Sequence, residues 1–186
     1  MRKNFGAQNW LYPMPVLIIG SWNSDGSANA MTAAWGGIHD TKQLAVCIDP
    51  GHLTADNVMR TGCFTVSIGD VRHVAECDYL GIVSGRETPD KTAKAGLHAI
   101  ASEFVDAPYF AEFSMALECR LVSFDKTTGC TVADIVNVNA DENVLNENGD
   151  ISPEKLEPVI FDAVHHTYRK IGGVAGFAFK DGLKLK

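Results

Sequence analysis

Strand-length apolar runs separated by turn chemistry recur along most of this 186-residue chain, and that pattern restricts it to a layered or closed β structure. Val16-Leu17-Ile18-Ile19-Gly20-Ser21-Trp22 is the first such run. Asn23-Ser24-Asp25-Gly26 supplies a turn in which Gly26 can take positive φ, so Ser27 to Trp35 can return as the second strand of a hairpin. Gln43 to Asp49 is a third run, stopped by Pro50-Gly51. Cys63 to Ile68 is a fourth. Ser114 to Asp125 reads as a long strand, turned by Lys126-Thr127-Thr128-Gly129, and Cys130 to Asn139 returns with imperfect alternation. Open edges invite pairing with other chains, and closure removes them. The expectation is a mainly β, closed or nearly closed antiparallel barrel with a few short helices.

Those helices are expected at three places. His52 to Arg60 ends at Gly62 and has Thr54 or Asp56 as a possible cap. Val71 to Val83 places Val71, Val74, Ala75, Tyr79 and Ile82 at helical spacing. Thr92 to Leu97 suits a further short helix, and Ser84 to Lys91 is a polar loop. Asp141 to Asp150 is acidic and turn-rich, and His165 to Phe179 mixes helix and strand signals around Gly172, Gly173 and Gly176. No repeat or linker divides the chain, so residues 1–186 are expected to form one domain.

Composition removes several classes of function. A formal charge of −7 disfavours general nucleic-acid binding, which requires cations to displace phosphate counterions, and disfavours docking on anionic membranes. No run approaches the roughly 20 apolar residues of a membrane span. Met1-Arg2-Lys3-Asn4-Phe5 leads into mixed sequence without an apolar signal core, which predicts a cytoplasmic protein. The five cysteines, Cys47, Cys63, Cys77, Cys119 and Cys130, include no C-x-x-C pair. They are read as reduced and buried, and no metal site is expected. The adjacent His165 and His166 suit a partly exposed helix better than joint metal binding. Glu118 and Cys119 face opposite sides of a strand. No Ser-His-Asp signature and no Walker or Rossmann glycine pattern is present.

Three segments could carry chemistry. Asn29-Ala30-Met31-Thr32-Ala33-Ala34-Trp35-Gly36-Gly37 offers small side chains, hydroxyl and amide groups and one indole. It could let a planar ligand approach the backbone, or it could simply be a tightly packed strand. His52, Thr54 and Asn57 cluster where a helix is expected to begin. Free N–H groups there suit a phosphate, although plain capping by Thr54 or Asp56 explains the same residues. Ser84-Gly85-Arg86 with Asp90-Lys91 can wrap an anion, or form a solvated loop.

Taken in order, these segments resemble the flavin reductase-like family, in particular its flavoredoxin and ferric reductase branch. The residues that carry the resemblance are Tyr12-Pro13-Met14-Pro15 through Gly20, then Asn29 to Gly37, His52-x-Thr54-x-x-Asn57 and Phe64 to Ile68. Asp78-Tyr79-Leu80-Gly81-Ile82-Val83-Ser84-Gly85-Arg86 with Asp90-Lys91 is the most specific stretch, and Leu117-Glu118-Cys119 and Tyr168-x-x-Ile171-Gly172 continue it. The resemblance implies a Greek-key split β-barrel that binds FMN non-covalently, in a homodimer with FMN near the subunit interface. It implies that Asn29, Ala30, Met31, Thr32, Ala33 and Ala34, with Trp35 near the ligand, line the ring and ribityl chain. It further implies that His52, Thr54 and Asn57 hold the phosphate region, and that Ser84, Gly85 and Lys91 close over the cofactor. The implied activity is electron transfer from NAD(P)H or a reduced protein through FMN to a flavin, ferric or protein acceptor, with a non-catalytic electron carrier as the alternative. Two departures stand out: Ile38-His39-Asp40-Thr41-Lys42-Gln43 replaces a segment where relatives carry Cys and Pro, and Asp49-Pro50-Gly51 places an acid just before the phosphate helix.

Overall fold

The structure is a computed structural model that describes residues 1–186. In chain order its elements are β1 (Met14–Pro15), β2 (Leu17–Trp22), β3 (Ala28–Ala33), β4 (Gly36–Asp40), β5 (Gln43–Cys47), α1 (Leu53–Thr61), β6 (Cys63–Ile68), α2 (Val74–Ile82), α3 (Lys91–Lys94), β7 (Ala99–Ala101), β8 (Pro108–Phe110), β9 (Met115–Phe124), β10 (Cys130–Ala140), α4 (Pro153–Leu156), β11 (Val159–Asp162) and β12 (Thr167–Lys170). Seven strands form one antiparallel sheet in the order β3-β2-β6-β9-β10-β5-β4. The non-sequential neighbours β2–β6 and β10–β5 are its Greek-key crossings. Strands β1, β11 and β12 form a small second sheet, and β7 pairs with β8.

Strand β2 shows why the sheet curls. Its alternate side chains enter two different cores. Leu17 and Ile19 join Met31, Ala33, Phe64 and Val66 inside the barrel, whereas Ile18 joins Ala30, Cys77, Leu80 and Phe110 on the other face. Both faces are covered, so β2 reads as a continuous apolar run instead of an alternating one. Full burial of each such side chain contributes about 1.5–3 kcal/mol. The two edge strands, β3 and β4, are consecutive and joined only by Ala34 and Trp35. Leu17 Cδ1 lies so near Gly36 that a Cβ there would sit 2.8 Å from it. The barrel is therefore closed at this seam by side-chain packing and split in its hydrogen bonding.

Several expectations need correction. Strand β4 was not legible as a strand, and neither was β1. The returning strand β10 carries register shifts at Val132/Ala133 and Ile135/Asn137, and these bulges are the physical cause of its imperfect alternation. Helix α1 is capped at its end by left-handed Gly62, whose N–H donates to the Val58 carbonyl, but neither Thr54 nor Asp56 caps its start. Val71–His73 is a 3₁₀ turn, capped by Asp70, which accepts from Arg72 N at 2.9 Å and His73 N at 3.0 Å. Three residues wound at 3₁₀ pitch turn about 60° further than in an α-helix. The face that α2 buries is accordingly Cys77 and Leu80, while Ala75 and Ile82 are exposed. His165 and His166 lie in the turn between β11 and β12, not on a helix. Cys63, Cys77 and Cys119 are buried, but Cys47 is exposed and Cys130 half-buried.

Asp162, at the end of β11, ties the N-terminal segment to the small sheet. It accepts from the Tyr12 hydroxyl, from Arg169 Nε at 2.6 Å and from His165 N at 3.2 Å, and it sits 2.9 Å from His165 Nδ1. The Tyr12 hydrogen bond, followed by those of His165 and Arg169, holds this carboxyl well below the usual carboxylate range against the opposing effect of burial. A folded-state value below the unfolded one stabilises the fold above the unfolded value, near 4, and that stabilisation is lost as pH falls through the folded value. Thermal unfolding followed from pH 6 down to pH 2 should therefore fall less steeply for Asp162→Asn than for the wild type. Parallel curves would show that this carboxylate does not link folding to pH.

Candidate functional site

One end of the barrel is closed by a polar cluster from three elements. Ser21 comes from β2, Asn29 from β3, and Thr54 and Asn57 from α1, and all four are buried. Asn29 Nδ2 donates to Thr54 Oγ1 at 2.9 Å and to Ser21 Oγ at 3.2 Å. Asn57 Nδ2 donates to Asn23 Oδ1 at 2.8 Å and to Ser21 Oγ at 3.2 Å. Buried polar groups persist when they are paired in this way, and the network fixes the start of α1 against the β2–β3 hairpin. No side chain caps α1, so the N–H groups of Leu53 and Thr54 remain available, while Ala55 N donates to the His52 carbonyl at 3.1 Å.

Above this cluster lies a cavity of about 180 Å³. Asn29, Met31 and Thr32 of β3 form one wall, and His52, Leu53 and Thr54 form a second. The segment from Leu80 to Gly85, together with Lys91, forms the third. Thr32 Oγ1 donates to the Cys77 carbonyl at 2.5 Å and so clamps β3 to α2. Gly85 permits the loop to close: a Cβ there would lie 2.7 Å from Asn29 Oδ1 and 3.2 Å from Leu53 Cδ2.

Lys91 is the charged group of this cavity. It is 3% exposed, and its Nζ donates to the carbonyls of Val83 at 2.9 Å and Leu80 at 3.3 Å. No carboxylate pairs with it among the ion pairs of the structure. Burial without a counter-charge lowers its pKa to about 8. An ammonium has three donors, so one remains for a ligand. Arg86 is spent elsewhere: Nε donates to the Gly51 carbonyl at 2.9 Å and Nη2 pairs with Asp56 at 2.7 Å, which neutralises the acid of α1.

Met31, Thr32 and His52 also line a second cavity, of about 280 Å³, whose other residues include Ala33, Ala34, Trp35, Cys47, Asp49 and Thr128. Its walls combine small and apolar residues with His52 and Asp49, and Trp35 is 57% exposed. Strand β3 is an edge of the large sheet, so only one side of its backbone pairs with β2. On the free side Thr92 Oγ1 donates to the Ala28 carbonyl at 3.2 Å, and alternate N–H groups further along have no strand partner.

Of the residues singled out in the sequence, Asn29, Met31, Thr32, Ala33, Ala34, Trp35, His52, Thr54, Ser84, Gly85 and Lys91 meet around these two cavities. Ala30 and Asn57 do not. Ala30 points into the core beneath α2, because strand alternation turns it away from Asn29 and Met31. Asn57 lies one turn inside α1, with its Nδ2 bonded to Ser21 and Asn23. Sequence reasoning missed Leu53, Cys47 and Thr128 as lining residues. The one hint for Thr128 was its neighbour Gly129, which has φ 73° and whose Cβ position lies 2.5 Å from the Ile48 carbonyl, seating that turn against β5. Asp49 does lie beside the wider cavity, and its Oδ1 accepts from Gly51 N at 2.7 Å.

The arrangement pairs an anion-seeking closed end with a wider and more apolar end. The closed end combines an unpaired buried ammonium, an uncapped helix start and two hydroxyls, and no free carboxylate lines it. That donor set fits a phosphate monoester, and the wider end fits a planar ring.

Comparison with known proteins identifies the family. The family model described as the flavin reductase like domain matches residues 10–169. Flavoredoxin of Desulfovibrio vulgaris (Miyazaki F) is 36% identical and superposes with a TM-score of 0.93 over 98% of this chain and 100% of that one. Flavoredoxin from Methanosarcina acetivorans is 27% identical, with a TM-score of 0.89 over 100% of both chains. A curated protein of Aeropyrum pernix, described as uncharacterized, is 36% identical over 115 residues, 60% of this chain, and the chain spans 43% of that relative's length. Because the matched region runs from the N-terminal segment through every wall of both cavities, this chain belongs to the flavin reductase-like domain family.

Proposed function

We propose that this protein binds FMN non-covalently in the two joined cavities and acts as a flavin-dependent oxidoreductase, passing electrons from NAD(P)H or a reduced protein to a flavin, ferric or protein acceptor. The observation that carries this reading is Lys91, a buried ammonium without a carboxylate partner at the closed end of the site. In this reading Lys91, the Thr54 and Ser84 hydroxyls and the first N–H groups of α1 hold the phosphate. Asn29, held by its bond to Thr54, presents its Oδ1 to the ribityl chain. The unpaired N–H groups of β3 around Thr32 to Ala34 orient the polar edge of the ring and favour negative charge there. Ala33, Ala34 and Trp35 exclude water from one side. Bound FMN supplies the hydride acceptor and the two-electron store, so no side chain is required as acid or base.

Purified protein loaded with FMN and freed of excess cofactor should lose its flavin absorbance when NADH or NADPH is added without oxygen. Retained flavin that neither nucleotide bleaches would replace the reductase reading with that of an electron carrier fed by another protein. The resemblance also implies a homodimer. Sedimentation equilibrium should give twice the 20.1 kDa chain mass, and a monomer at all concentrations would remove the dimer from the account.

A further inference from the structure

Cys47 on β5 and Cys130 on β10 are direct cross-strand partners. Residues paired in this way place their side chains on the same face of the sheet. Ile48 N donates to the Gly129 carbonyl at 2.9 Å, whereas Cys47 N donates in the opposite direction, to the Trp35 carbonyl at 2.8 Å. The hydrogen bonds joining β5 to β10 therefore flank the cysteine pair, which occupies a non-hydrogen-bonded position. Cα atoms at such a position are about 4.5 Å apart. A disulfide needs a Cα separation of about 4.4–6.8 Å. Both cysteines line a cavity of about 530 Å³ between the N-terminal segment and β4, so solutes can reach them. The other three cysteines are buried, and burial pushes the thiols of Cys77 and Cys119 up to about 12, which keeps both protonated at neutral pH.

We propose that Cys47 and Cys130 form a redox-active dithiol that reduces an external disulfide and closes to a cross-strand disulfide. Cys47, the more exposed, attacks first as thiolate; a Cys47–external disulfide bond forms, the external S–S bond breaks, and one external thiolate leaves. The Cys130 thiolate then attacks Cys47 Sγ, forming the Cys47–Cys130 bond and expelling the second external thiolate. The protons from the two cysteines end on the two released thiols, so two electrons pass outward. The dithiol chemistry requires no bound flavin. Cys47 also lines the wider of the two proposed flavin cavities, which puts the dithiol at its border.

The test uses the full chain, reduced and freed of reductant. One portion is exposed to oxidised glutathione and a second to a protein carrying an oxidised Cys-x-x-Cys pair, and both are then alkylated in denaturant. In at least one arm the alkylatable thiols should fall from five to three, peptides containing Cys47 and Cys130 should be joined, and dithiothreitol should restore all five. Which arm reacts identifies a small or a protein disulfide as the oxidant. Cys130→Ser should stop at a mixed disulfide on Cys47, and Cys47→Ser should form no internal link. Five thiols surviving both arms, a link through another cysteine, or adducts on wild-type Cys47 that never close would overturn the proposal.

Discussion

Lys91→Met is expected to weaken FMN binding by about 10- to 150-fold, the equivalent of the roughly 1.5–3 kcal/mol that a hydrogen bond to a charged group contributes. The same substitution should leave the stability of the cofactor-free protein within about 1 kcal/mol of wild type. Removing a buried ammonium that lacks a counter-charge relieves desolvation, and this offsets the two carbonyls, of Leu80 and Val83, that lose their donor. The two readouts thus move apart, which a merely structural lysine would not produce. The pH dependence follows from the lowered pKa of about 8. Below that value Lys91 is charged and binding is at its strongest; above it the free protein loses the proton, and affinity should decline with rising pH. In the cofactor-free protein the sign for stability is the reverse. Depression below the ordinary value near 10.4 means that stability rises between about 8 and 10.4, as the unfolded chain binds the extra proton. FMN titrations of wild type and variant from pH 6.5 to pH 9.5 test the affinity, and unfolding of the cofactor-free protein over the same range tests the stability. Equal affinities, or a wild-type affinity indifferent to pH, would remove Lys91 from the phosphate end.

Gly20→Ala is expected to damage the fold itself. A Cβ on Gly20 would lie 2.2 Å from the Pro108 carbonyl oxygen and 2.5 Å from Thr65 Oγ1. Neither can yield cheaply, because Thr65 Oγ1 donates to that same carbonyl at 2.5 Å and joins β6 to β8 beneath β2. Relief requires β2 to move away from β8, which opens the core around Ile18 and Phe110. A loss of about 3 kcal/mol or more is expected, a large part of the roughly 5–15 kcal/mol that holds a domain folded. In a domain of this size that corresponds to a Tm lower by about 6–12 °C. A shift below about 2 °C would show that β8 is not fixed against β2.

The strands that frame the site were legible because they are buried on two faces or end at chemically explicit turns. Gly26 takes φ 83° in the β2–β3 turn, and Gly62 takes φ 69° at the end of α1, as their positions suggested. Strand β4 was not legible: Gly36, Gly37, His39 and Asp40 have little strand propensity, and the segment is extended because β5 supplies its backbone partners. The phase of α2 was hidden by its 3₁₀ first turn. Within the site, residue type was legible and direction was not. Asn57 suggests a ligand contact in the sequence, yet its Nδ2 is taken up by Ser21 and Asn23, which lie 34 or more residues away in sequence. Ala30 could have been separated from Asn29 and Met31 by strict strand alternation, but a row of small residues obscures which face each one takes. Lys91 illustrates the reverse limit: its place was legible, but its burial and its lack of a counter-ion are tertiary facts.

Titration of the purified, cofactor-free protein with FMN, followed by flavin absorbance and fluorescence, is the decisive measurement. Saturable binding of about one FMN per chain with a perturbed flavin spectrum, weakened in Lys91→Met, is expected. A flavin spectrum identical to that of free FMN at every protein concentration would contradict it.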